Sequence, residues 1–407
     1  MGDLVFEAEQ LSVKRTPVAY LNMRNPQLLK YYYKFKTLSL IDKEEISGSS
    51  PPDIFIGRIG YPNVYVGPLV PPILGDTSEM GMPETWVNKT IPEIVEARSM
   101  LVRGMLKENI HNVESGRLSG MLQELAIADK YAGVDMKLTH RPNLTVKFDE
   151  NSQPFGPSAP LREMAIGNTK ANRQMERAYF DTAMGAATGM VELYEKGVEV
   201  SRIQKILAAG GLGIKNNRKF VPTRWSITAV DDTLGRYKLK DVKQSDSIEQ
   251  ITVFEDVALD NRWLVLLFPG AWSYELVEAW YPNTTWNQDT KNIAIFSSSE
   301  FFAGRKTYAE IGGCYYAARL ATSEYLDRIG KQARAVILRE THPGYIMPVG
   351  VWNVREHVRA ALKKEPLHFD SLQSTLNFVG MKMAIPISEW IKNSAVLRDI
   401  IHQRVLT

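Results

Sequence analysis

Apolar residues along this chain recur in two rhythms: every third or fourth position in some stretches, and short unbroken runs in others. The first rhythm predicts helices. One begins near Thr90, where Thr90 and Glu93 have capping-box spacing, Pro92 suits the first turn, and Ile94, Ala97, Leu101 and Met105 line one face. A second covers Leu118 to Ala132, with Leu118, Met121, Leu122 and Leu125 as its stripe. A third runs from Asp181 to Lys196 and stops at Gly197, and Ser201 caps a short one ending at Gly210-Gly211. Residues 20–47 also have a helical look, with the aromatic and basic cluster Tyr31-Tyr32-Tyr33-Lys34-Phe35-Lys36. Ser47-Gly48-Ser49-Ser50-Pro51-Pro52 then reads as a linker, and Ile54 to Pro68 as two short strands about a Gly/Pro turn. Asn151 to Pro160, rich in Pro, Ser and Gly, reads as a loop.

The second rhythm dominates further on. Ile251 to Ala258 and Arg262 to Phe268 flank Asp260-Asn261 and predict a hairpin; Asn292 to Ser298 is a third strand and Ala333 to Leu338 a fourth. A long helix is expected over Arg305 to Ile329, with others at Val351 to Lys363, Asp370 to Val379 and Ile387 to His402. Strands precede helices instead of alternating with them, which indicates an α+β fold. The expectation is two mixed domains, residues 1–212 largely helical with a small sheet and residues 213–407 an antiparallel or mixed sheet with helices. A chain of 407 residues is long enough for two cores.

Composition narrows the class. Hydrophobic residues at 44% and charged residues at 23% are globular values. No apolar run has membrane-spanning length, and Met1-Gly2-Asp3-Leu4 does not open a secretion signal, so a cytoplasmic location is expected. A single cysteine, Cys314, excludes an internal disulfide and a cysteine-rich zinc site, and it reads as a small buried residue. The six histidines show no metal-ligand spacing; His342, before Pro343-Gly344-Tyr345, is the least ordinary of them. No metal site is expected, and no cofactor is indicated.

Net charge is only +3, but Ser201 to Val230 holds six basic residues and no acidic one. Arg202 and Lys205 lie on the predicted helix; Lys215, Arg218, Lys219 and Arg224 follow, with Trp225 and Ser226 beside them. Cations and hydroxyls suit phosphate oxygens, and an indole offers a face on which a base stacks. A solvated loop leading into a strand that buries Trp225 and Ile227 accounts for the same residues equally well. Asp231 and Asp232 then follow and, with His342, are weak catalytic candidates. As carboxylates they suit Mg²⁺ or proton transfer, although a turn between strands is the more ordinary role. Arg58 and Tyr61, in Gly57-Arg58-Ile59-Gly60-Tyr61, add a polar and aromatic patch on what is otherwise a glycine turn.

Three blocks stand in order along the chain: Phe55-Ile56-Gly57-Arg58-Ile59-Gly60-Tyr61-Pro62 with Val66-Gly67-Pro68-Leu69-Val70-Pro71-Pro72, then Arg218-Lys219-Phe220-Val221-Pro222-Thr223-Arg224-Trp225-Ser226-Ile227-Thr228, and Pro348-Val349-Gly350-Val351-Trp352-Asn353-Val354-Arg355-Glu356. Together they resemble the archaeal Nre family of DNA repair proteins. The resemblance implies a role in repair, with DNA and the sliding clamp as partners and Arg58, Tyr61, Lys215, Arg218, Lys219, Arg224, Trp225 and Ser226 as nucleic-acid or phosphate contacts. An enzyme acting on a nucleotide or on DNA through the same residues is the alternative. The chain departs from the family in lacking its N-terminal zinc element. It also has only the first half of the clamp-binding peptide, with Gln403 and Leu406 in place and no aromatics after them.

Overall fold

The structure is a computed structural model that describes residues 38–114, 116–142, 152–284, 286–287 and 289–403. The Tyr31 to Lys36 cluster and Leu406 fall outside these residues. Among the described residues no helix is long and apolar enough to cross a membrane.

Six strands form the first sheet: β1 (Glu45–Ser50), β2 (Ile54–Ile56), β3 (Asn63–Val70), β4 (Val102–Asn109), β5 (Ala132–Leu138) and β6 (Ser158–Ile166). Their order is β1-β5-β6-β4-β3-β2, antiparallel throughout except for the parallel pair β4 and β6. This overturns the expectation of a largely helical first half with a small sheet. The residues 47–52 taken as a linker lie mostly in β1, and the loop 151–160 passes into β6 at Ser158. β5 shows why the sheet forms: Ala132, Val134, Met136 and Leu138 are buried while Gly133, Asp135 and Lys137 face out, the two-residue period of a strand with one wet face. The sheet curls until β1 reaches the end of β3 and the chain beyond it, where Ser50 Oγ donates to the Leu69 carbonyl at 2.8 Å and Ser49 N–H to that of Ile73 at 2.7 Å.

Helix α1 (Ile91–Ser99) starts at the expected capping box, in which Glu93 Oε2 accepts from Thr90 N–H at 2.7 Å. It ends before Met105, which belongs to β4. Helices α2 (Arg117–Ile127), α3 (Arg173–Phe180), α4 (Ala186–Glu195) and α5 (Val200–Ala208) follow. Their apolar faces meet α6 (Thr223–Val242) in a cluster that includes Ile127, Met175, Leu193, Ile203, Ile206, Val230 and Leu234.

The second sheet contains β7 (Ile251–Ala258), β8 (Asn261–Phe268), β9 (Ser273–Trp280), β10 (Ala294–Glu300), β11 (Arg334–Thr341) and β12 (Leu367–Phe369), in the order β10-β9-β11-β8-β7-β12. Only β9 and β11 pair in parallel. The expected β7–β8 hairpin turns at Leu259 and Asp260, both with positive φ. The central strands are buried on both faces. Trp263, Val265, Leu267, Tyr274, Leu276, Ala335 and Ile337 face α6, α7 (Gly313–Ile329) and α8 (Trp352–Ala361). Leu264, Leu266, Phe268, Val277, Val336 and Leu338 face α9 (Leu372–Lys382), α10 (Ile387–Asn393) and α11 (Ala395–Gln403).

Two helix boundaries differ from expectation for local reasons. The long helix starts at Gly313, not Arg305, because residues 301–312 are a loop tied down by Arg305 through Ser299 and Glu310. The expected helix Ile387 to His402 breaks at Ser394, where buried Glu275 of β9 accepts the N–H groups of Ala395 and Val396, both at 2.9 Å, and so caps a new start.

Candidate nucleic-acid interface

The chain enters the basic segment through a single 3-10 turn, Lys215–Asn217, and at Pro222 turns into α6. The expected strand over Trp225 and Ile227, and the expected turn at Asp231-Asp232, are both replaced by this helix. Ile227, Val230, Asp231 and Leu234 recur at helical spacing and are buried, so packing sets the conformation. Trp225 falls on the opposite side, 44% exposed.

The first two sequence blocks meet here. Thr223 Oγ1 accepts the N–H of Ile56 at 2.9 Å, tying the start of α6 to β2 across 167 residues of sequence. The rings of Tyr61 and Trp225 lie 5.1 Å apart at 56°, a tilted aromatic pair open to solvent. Arg58 and Ile59 are exposed on the turn between β2 and β3, where Gly60 takes φ +85°. Lys215 and Lys219 are exposed and Arg224 half-buried beside Tyr308, whose hydroxyl is hydrogen-bonded to Thr228. The turn with Arg58 and Tyr61 thus meets the start of α6 with Arg224 and Trp225, and exposed Lys215 and Lys219 precede that helix in the chain.

Two of the eight residues expected to touch phosphate point elsewhere. Arg218 is buried, donating to the carbonyls of Gly213 at 2.8 Å and Asp181 at 3.1 Å, with its guanidinium 5.5 Å over the Tyr179 ring. Buried Ser226 donates to the Thr223 carbonyl at 2.9 Å. Both residues shape the backbone that carries Lys219, Arg224 and Trp225.

The aspartate pair is already occupied. Asp231 is fully buried, accepting from Arg355 at 2.9 and 3.2 Å and from Gln204 at 3.2 Å. Asp232 pairs with Arg319 and with Arg236, the latter at 2.9 Å. Among the described residues no group of three or more His, Cys, Asp and Glu side chains could hold a metal ion. His342 instead stacks on Tyr281, with centroids 4.7 Å apart. Cys314 is only partly buried, at the start of α7, and lines a concavity with Glu278, Trp280, Arg339 and Tyr345.

Arg355 was not singled out by sequence reasoning, although the third block contains it. Its guanidinium is buried with Asp231 of α6, Glu84 at 3.6 Å and Glu356 at 3.0 Å, and Glu84 in turn accepts the N–H and hydroxyl of Ser201 at 2.9 and 2.7 Å. This network holds α5, α6 and α8 to the segment before α1. Glu84 is partly buried, which opposes ionisation, but Arg355 and Ser201 hold its carboxyl below the usual range. Asp231 goes the other way, since burial pushes it up to about 6 despite Arg355. Between its ordinary value of 3.8 and about 6 the folded form therefore keeps a proton that the unfolded chain has lost. The contribution of Asp231 to stability should fall as pH rises through that window. Denaturant titrations of the parent and Asp231→Asn at pH 5 and pH 7 check this: the parent should gain more stability at pH 5 relative to pH 7 than the variant does.

Residues 23–287 match the family described as "Archaeal Nre, N-terminal" and residues 300–407 the one described as "Archaeal Nre, C-terminal". The chain is 41% identical over 357 residues to the DNA repair protein NreB of Archaeoglobus fulgidus, covering 88% of this chain and 90% of that one. It is 32% identical over 369 residues to the DNA repair protein NreA of Haloferax volcanii, covering 88% and 87% respectively. No solved structure matches.

Proposed function

Since this chain belongs to the archaeal Nre family, we propose that it acts in DNA repair by binding DNA on the face formed by Arg58, Tyr61, Lys215, Lys219, Arg224 and Trp225. The supporting observation is the meeting of two distant sequence blocks at Tyr61 and Trp225. A fold gains nothing in packing from leaving two large rings in water, whereas a nucleic-acid site uses both the rings and the cations around them. The protein would work in the cytoplasm, where DNA of an archaeal cell is accessible.

Contact with the sliding clamp is part of the same proposal and rests on the tail. Gln403 is exposed in the last turn of α11, where its amide accepts from Arg334 at 2.8 Å and donates to Asp399 at 3.2 Å. Engagement by the clamp would have to release those bonds. The enzymatic alternative has less behind it: both carboxylates it needs are bonded to arginines, and one is closed off from solvent.

Lys219→Glu combined with Arg224→Glu is expected to weaken DNA binding about tenfold or more at moderate salt. It should also flatten the plot of log K against log salt by about 2, one unit for each phosphate contact removed. Fluorescence anisotropy on a labelled oligonucleotide across a salt series reads both quantities. Unchanged affinity and slope would remove this face from the DNA-binding role and leave acidic protein surfaces as its ligand.

A further inference from the structure

We infer that the ligand of this face is single-stranded DNA, laid along the exposed side of α6 and against the loop 301–312. The inference rests on the DNA-binding reading above and goes beyond it in naming the form of the nucleic acid and a second contact element.

The loop runs antiparallel to α6. Near one end Lys243 donates to the Phe302 carbonyl at 2.7 Å and sits 5.3 Å over the Phe302 ring; near the other, Tyr308 meets Thr228 and Arg224. Trp225, Asp232, Arg236 and Lys243 fall on one line of the helix at its 3.6-residue period, so the strip from Trp225 to Lys243 is about 27 Å long at about 1.5 Å per residue. Five large rings along it are open to solvent: Tyr61 44%, Trp225 44%, Phe301 47%, Phe302 49% and Tyr308 58%. Scattered exposed rings need no explanation, but a row of them along one edge marks a binding surface.

Charge fits the same occupant. Arg58, Lys219, Arg224, Lys243 and Lys306 accompany the rings along the chain, and the carboxylates beside them are paired, Asp232 with Arg319 and Arg236 and Glu310 with Arg305. The loop is held before any ligand arrives: Arg305 donates to the Ser299 carbonyl and Glu310, both at 2.8 Å, and Ala309 N–H donates to the Tyr316 hydroxyl at 3.0 Å. Rings set in advance between cations suit unpaired bases, whose faces are free to stack. An intact duplex hides those faces inside its own stack and would leave the rings unused.

The test compares a fluorescein-labelled dT16 strand with a 16-base-pair duplex on the full chain. The strand is expected to bind at least about tenfold tighter, and Phe302→Ala and Tyr308→Ala each to weaken it about tenfold. Unchanged melting curves would show that the variants remain folded. Duplex binding as tight as strand binding overturns the inference. So does parental affinity in both alanine variants while Trp225→Ala loses binding, a result that would leave the DNA-binding reading standing. Loss of neither DNA form on Lys219→Glu with Arg224→Glu would count against both.

Discussion

Arg355→Leu should destabilise the protein by about 3–5 kcal/mol, the range for removing one partner from a buried ion pair and leaving the other charges behind. Arg355 lies among Asp231, Glu84 and Glu356, and all of these groups are removed from bulk water or nearly so. Leucine fills much of the volume but leaves three carboxylates with only Arg359, Gln204 and Ser201 to answer them. Arg355→Lys should fall between the parent and leucine, because a single ammonium cannot reach all three carboxylates in a planar fork. Chemical denaturation curves read the size of the loss. In the double variant Arg355→Leu with Asp231→Asn, the loss should be smaller than the sum of the two single changes, since the second change removes a charge that the first has stranded. An additive result would show that the two side chains act independently.

Gly67→Ala is expected to cost at least about 3 kcal/mol, the upper part of the range for overpacking, because the obstacle is backbone and has little freedom to yield. A Cβ built at Gly67 would lie 1.7 Å from the carbonyl oxygen of Gly104 on the neighbouring strand. β3 and β4 pair from Tyr65 with Lys107 and Val66 with Leu106, and again from Leu69 with Arg103, and Gly67 sits between those two stretches. Gly104 is itself packed against Met136 and Leu161, so β4 cannot retreat without disturbing β5 and β6. The variant should therefore melt at a markedly lower temperature. On the proposed function, DNA affinity should fall as well, since β3 is one arm of the turn that places Tyr61 beside Trp225. A melting temperature equal to that of the parent would mean that the strands separate more easily than their pairing suggests.

How far the sequence announced this structure depends on which forces act locally. The capping box of α1 and the β7–β8 hairpin were legible because each is decided within a few residues. The first sheet was not. β4 reads Val102-Arg103-Gly104-Met105-Leu106-Lys107, without alternation, and Met105 happened to complete a helical stripe with Leu101. β6 opens at Ser158-Ala159-Pro160, residues that locally favour a loop, and is a strand because β4 and β5 lie on either side of it. The opposite error arose at α6, whose Thr223, Trp225, Ile227, Thr228 and Val230 favour a strand on propensity alone. Its contacts with α5 and α7 outweigh that preference, and no window of the sequence displays those contacts. For the candidate site, the residue types were visible and their neighbours were not. Trp225 and Tyr61 were named in separate blocks; that they touch, and that Arg218 and Ser226 face inward, depends on the fold.

The hydrogen bond from Ile56 to Thr223 spans 167 residues, and it has a thermodynamic corollary. Neither the turn with Tyr61 nor the helix with Trp225 makes the face alone, so the docking of these segments and the capture of a ligand are one coupled equilibrium. Whatever the ligand gains by binding is added to the docked state by mass action, and whatever loosens the docking lowers affinity only by the fraction of molecules it leaves undocked. A strand of DNA should raise the melting temperature of the whole molecule. Variants far from the strip, Arg355 among them, should bind more weakly in proportion to how far they open the join.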